Sequence, residues 1–237
     1  MGRSSRATAR LFLLAASIAS LVFAAARLSR DDFSELQFVA GRITAGHEFD
    51  QSRLTRLVPR LQARQPGQCG TSPRSAAIVW MRVTEGRKAA GDPAGEASGI
   101  QRADKELEGY LACSPADPYG WLLLFHNRHS RDGDPKHLAL LEFSYRLAPH
   151  EGWLMPVRST IALPLFDKLS ADAQRLAVQD MKLMARDRPE AAAAVISNLE
   201  PSQQTIVLPV LRDLPDEQRK ALARLLEALE VETGFKL

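Results

Sequence analysis

Apolar and polar positions along the chain fall into two regimes. Leu11 to Ala26 form one uncharged, apolar stretch, and no comparable stretch occurs again. Beyond Arg27, apolar residues recur at intervals of three and four, the spacing of helices that bury one stripe, and no run of alternating β-branched residues points to a strand. The fold class expected is all-α.

The periodicity and the end signals place the elements. Helices are expected over about Asp31–Thr44, with Phe33, Leu36, Val39, Ala40 and Ile43 on one face, and over about Asp50–Ala63, where Pro59 should kink the helix or split it. Pro73–Ala90 forms a third. Gly91 to Gly95 reads as a turn, and Ala97–Cys113 as a fourth helix with Gly99 weakening its start. Further segments lie at about Gly152–Leu169, Ala171–Arg186, Pro189–Leu199, Gln203–Leu214 and Asp216–Glu232. Pro156, Pro164 and Pro209 should bend or interrupt the helices that contain them. In the last helix Leu222, Leu225, Leu226 and Leu229 line one side, which suits either a cap on the array or a docking stripe.

Charge gives the apolar stretch its meaning. Arg3, Arg6 and Arg10 precede it with no acidic residue, a basic n-region before an apolar core. Residues 1–26 therefore read as a signal peptide or a single-pass membrane anchor, with the basic end in the cytoplasm. The two fates stay open: Ala24-Ala25-Ala26 offers small residues for cleavage, while Arg27 can snorkel and let residues 11–26 persist in the bilayer. Residues 27–237 are expected as an exported all-α domain. It lies in the periplasm of a bacterial cell, tethered to the inner membrane or released if the signal is cleaved. Three of the 31 basic residues lie in the leader, leaving 28 to balance the 28 acidic ones, so the exported part has no net charge and no footprint for nucleic acid.

Two cysteines, Cys69 and Cys113, in an oxidising compartment are expected to form a disulfide. Closing a loop of that length contributes about 3–4 kcal/mol through chain entropy. Their spacing carries no zinc pattern.

The most specific internal pattern lies between Leu111 and Trp153. Ser114-Pro115 and Ala148-Pro149 stand 34 residues apart, and between them come Trp121, Leu124, Gly133-Asp134 and the amphipathic run Leu138, Leu141, Tyr145, Leu147. Residues 111–155 resemble a tetratricopeptide repeat, with Gly133 at the turn and Phe125 where that family prefers a small residue. The resemblance implies a stack of antiparallel helical hairpins, because one hairpin cannot bury its own apolar face. A second resemblance rests on Cys113-Ser114-Pro115, Trp121, Ser144-Tyr145-Arg146, Glu151-Gly152-Trp153 and Arg158, and it is to exported proteobacterial proteins that accompany envelope-polysaccharide genes. It implies a role beside glycan synthesis or export and assigns no chemistry to any residue.

Four of the five histidines, His126, His129, His137 and His150, fall in this region. His126 and His129 share one helix with Arg128 and Arg131, and these four are the candidate binding residues, either solvated or lining a groove of partial positive charge that suits an acidic peptide or glycan. A metal site would require a third ligand from Asp132, Asp134 or Glu142, and no metal or cofactor is expected. No nucleophile or phosphate-loop motif is present, so the chain is not expected to be an enzyme. Glu106 with Glu108, or Asp167 with Asp172, are the carboxylate pairs a glycosidase would need, but such pairs are common on solvated helices. Trp121 and Trp153 suit core packing or partner anchoring. Two functions follow as expectations. One is a non-catalytic scaffold or adaptor that binds another envelope or inner-membrane protein. The other is a periplasmic glycan-binding or glycan-cleaving all-α protein.

Overall fold

The structure is a computed structural model that describes residues 17–22, 35–64, 69–70, 72–229 and 231. Every regular element among the described residues is helical, as the apolar spacing predicts. Most of the leader and the start of the helix expected from Asp31 lie outside the described residues; residues 17–22 are helical and exposed. No helix among the described residues is long and apolar enough to cross a membrane. Neither Cys69 nor Cys113 is free.

The chain divides into two compact units, Met1–Gly109 and Tyr110–Leu237. In the first, α1 (35–44) buries Leu36, Val39 and Ala40. Helix α2 (Gln51–Ala63) starts where Asp50 accepts a hydrogen bond from the Ser52 amide and buries Leu54, Leu57, Val58 and Leu61. Pro59 does not split it. That ring and Thr55, whose carbonyl it leaves without an amide partner, both stand exposed, so water can take the place of the missing bond. Helix α3 (Ser72–Ala89) packs on α2 and carries Trp80 into the core at 1% exposure.

Helix α4 (Pro93–Cys113) begins four residues earlier than the spacing predicts. Asp92 accepts from the Gly95 amide at 2.9 Å and Pro93 occupies the first turn, a pairing that starts a helix more firmly than Gly95 and Gly99 weaken it. Gly91, at φ 70°, confines the turn to a few residues. Gly99 has a packing role instead: a Cβ there would collide with the Thr84 hydroxyl of α3.

The first unit also buries an imperfect ion pair. Glu106 is 2% exposed, its Oε1 lies 3.6 Å from Arg64 Nε, and its Oε2 has no hydrogen-bond partner. Arg64 Nη1 donates to the Ser72 hydroxyl at 2.6 Å. Burial raises the Glu106 pKa above its ordinary 4.5, and the nearby charge of Arg64 only partly opposes this.

The second unit is built of short helices. Helix α5 (Pro118–Asp132) is capped by Asp117, turns at Gly133 (φ 64°) and packs against α6 (Leu138–Leu147). Trp121 meets Phe143 of α6 edge-on, with ring centres 4.9 Å apart. Phe125 is 1% exposed, so the bulky side chain is accommodated inside the unit. Helices α7 (Met155–Ala162), α8 (Ala171–Asp187), α9 (Pro189–Ser197), α10 (Pro201–Val207) and α11 (Asp216–Ala228) follow. Pro156 opens α7 rather than bending it, while Pro164 and Pro209 each sit where an α-helix gives way to a 3-10 segment. Met181, Met184, Ala192, Ile196, Leu211, Leu222 and Leu226 form one core, so most of the leucine stripe of α11 is used internally.

Two outcomes test these contacts. Non-reducing peptide mapping should recover Cys69 and Cys113 in one linked fragment, and reduction should lower unfolding free energy by about 3–4 kcal/mol; an unchanged denaturation midpoint would count against the bond. The folded chain holds the Glu106 proton more tightly than the unfolded chain, so its contribution is present below the ordinary glutamate range and is lost as pH rises through the raised value. The stability of Glu106→Gln relative to the wild type should therefore increase between about pH 4 and pH 7, and a flat difference in urea melts would refute this.

Candidate functional site

The four candidate residues on α5 do not converge. A helix turns positions 126 and 129 to one side and positions 128 and 131 to the other. His126 is exposed, and Arg128 and His129 are half-buried. The His129 ring stacks on Phe125 at 5.1 Å, with its Nδ1 buried and without a partner. Arg131 Nη2 donates to Asp132 at 2.9 Å, and Asp132 also meets His137 Nε2 at 3.1 Å. The Asp134 amide, Arg131 and His137 together hold the Asp132 carboxyl well below the usual range, so this end of α5 is a closed polar cap. No group of three histidine, cysteine or acidic residues among the described residues is placed to hold a metal.

The structure assembles a different cluster. Arg158 of α7 and Asp180 of α8 are both 0% exposed, 22 residues apart in sequence. Arg158 Nη2 and Nε both donate to Asp180 Oδ2, at 2.8 and 3.2 Å. Its Nη1 donates to the carbonyls of Ser144 and Ala148, at 3.2 and 3.1 Å, so a cation closes the C-terminus of α6, where the Ser144 carbonyl also accepts from the Ala148 amide. The guanidinium lies 4.1 Å from the centre of the Tyr145 ring, a cation–π contact out of water. Burial, then the Asp180 charge, raises the Tyr145 pKa, and its buried hydroxyl has no hydrogen-bond partner.

Asp180 Oδ1 meets His150 Nδ1 at 3.1 Å. An aspartate paired to arginine only accepts, so Nδ1 carries the hydrogen of this bond. His150 sits at φ 63°, the left-handed region that a histidine rarely adopts. The bond to Asp180 helps hold it there, and the chain then turns through Glu151 and Gly152 into α7, with the amides of Leu154 and Met155 both donating to the Glu151 carbonyl. Arg188 Nη1 braces the same turn by donating to the Gly152 carbonyl at 2.9 Å. Next in sequence stands Trp153, 48% exposed, its ring edge-on to Tyr119 with centres 5.2 Å apart. The buried pair thus fixes a surface corner that presents one large aromatic ring.

Sequence reasoning noted Ser144, Tyr145 and Arg158 only as part of a resemblance, weighed Trp153 between core packing and partner anchoring, and did not single out Asp180. Asp180 is a charged residue on the otherwise apolar side of α8, beside Ala173, Ala177, Met181 and Met184, and that break in the stripe is the signal that marks it. Neither protein-family models, nor curated proteins, nor solved structures provide a match to this chain, so the corner is read from its own chemistry.

Removing one partner of the buried pair leaves an uncompensated charge, and Arg158→Met or Asp180→Leu should each destabilise the fold by about 3–5 kcal/mol. The double variant should lose much less than the sum of the two. Additive losses in a denaturation cycle would mean that the two side chains do not interact as the geometry has them.

Proposed function

We propose that the chain is a non-catalytic scaffold or adaptor at the periplasmic face of the bacterial inner membrane, holding another envelope protein on a tetratricopeptide-like array of helical hairpins. Residues 11–26 carry it to the membrane or through it. The observation that supports this reading is the Trp153 corner: a half-exposed indole set against Tyr119 on a turn that His150, Asp180 and Arg188 brace. Rigid, partly exposed aromatic rings are the anchors on which protein interfaces concentrate their energy, because little side-chain entropy is lost when a partner covers them. The 34-residue spacing and the α5–Gly133–α6 hairpin support the repeat reading, and the resemblance to proteins that accompany polysaccharide genes implies a role beside glycan synthesis or export.

Cross-linking in intact membranes, followed by purification through a C-terminal tag, tests the proposal. One envelope protein should be recovered at near-stoichiometric yield. Trp153→Ala should reduce that yield about tenfold or more while leaving the melting temperature within a few degrees of wild type. Recovery of the chain alone, or full recovery with the variant, would overturn the adaptor reading and favour a glycan-binding or glycan-cleaving protein.

A further inference from the structure

The outward side of α7 carries a pattern that one aromatic ring does not account for. Of residues 152–166 only Trp153, Val157, Thr160 and Pro164 are exposed, and the one charged side chain in that span, Arg158, is buried. Thr160 turns its hydroxyl back onto the Pro156 carbonyl at 3.0 Å, so it asks for no hydrogen bond from outside. Steps of four, three and four residues set the four along one side, from Trp153 just before α7 to Pro164 in the 3-10 segment just after it. Those steps read the same from either end. An antiparallel copy of the stripe therefore sets Trp153 against the partner's Pro164 and Val157 against the partner's Thr160, each contact made twice about a twofold axis. Both ends are charged: His150 and Glu151 precede the stripe, Asp167 and Lys168 follow it, and all four are exposed. Glu151, Asp167 and Lys168 make no ion pair with a described residue. The antiparallel order brings the Glu151 end to the partner's Lys168 and the His150 end to the partner's Asp167, whereas a parallel copy sets like charges together.

We infer that the exposed stripe of α7 binds a second copy of this chain, antiparallel and about a twofold axis. An occupant of this face must be apolar along its length and reverse the order of the end charges, and the chain's own stripe does both. Val157 and Thr160 lie nearest the axis, and a Trp153 ring stands at each end. Four side chains a copy make a small interface, so the pair dissociates readily and forms where the chain is concentrated. The pairing does not rest on the adaptor reading; where both hold, an envelope partner that takes the Trp153 ring displaces the second copy.

Cysteine cross-linking in intact cells tests the inference on the full chain. Two differently tagged forms are co-expressed, one carrying V157C and the other T160C, and brief oxidation is followed by non-reducing gels; the native Cys69 and Cys113 are not free to compete. The mixed V157C–T160C link should form at least about fivefold more than a V157C–V157C link, and more by the same margin than a link from either form to K220C on α11. K168E, which sets Glu151 against two acids of the partner, should cut the mixed link about threefold or more, and E151K/K168E should restore it. The inference is overturned if the mixed link stays at the K220C level, if V157C links to itself in preference, or if K168E leaves the yield unchanged. Recovery of an envelope protein is scored in a separate experiment, so failure of the pairing and failure of the adaptor reading are told apart.

Discussion

The Arg158–Asp180 ion pair is the constraint on which the second unit turns. Moving two full charges out of water costs several kcal/mol for each ion, and attraction between them offsets this only where the remaining donors and acceptors are also satisfied. Here the guanidinium divides its donors between one carboxylate oxygen and two helix-end carbonyls, and the other carboxylate oxygen meets a histidine. One side chain thereby ties the end of α6, the body of α7 and the middle of α8 into a single arrangement. An apolar pair of the same volume would fill the space without specifying which carbonyls and which turn it must meet. The left-handed His150 and the placement of Trp153 both follow from that directional requirement.

The first unit provides the contrast. Arg64 and Glu106 are buried almost as deeply, yet their closest approach is 3.6 Å and atoms on both residues lack hydrogen-bond partners. Burial therefore dominates the Glu106 carboxyl and pushes its pKa up. A fully connected polar network rigidifies its surroundings, whereas a partly connected one leaves a group whose protonation state the fold controls. An arginine paired with a buried carboxylate thus produces a fixed framework in one unit and a pH-dependent contact in the other.

These differences determine how much was legible in the sequence. Helix after helix was readable because caps and apolar spacing act locally: Asp50 before α2, Ser170 before α8 and Gly133 after α5 stand where local rules put them. Boundaries shifted where two local signals competed, as at Asp92-Pro93, where a cap and a first-turn proline outweighed two glycines. The candidate site was not legible. His126 and His129 drew attention by sequence proximity, while the cluster that forms joins residues 144, 150, 158 and 180, whose meeting depends on how four separate segments pack. Periodicity reports that a position faces inward, but it does not report which charge on another helix waits there.

At the Trp153 corner the backbone is fixed by buried hydrogen bonds and the ring by Tyr119, so a partner that covers it gains from removing apolar area from water and loses little by ordering the site. A rigid apolar anchor suits a protein surface of matching shape.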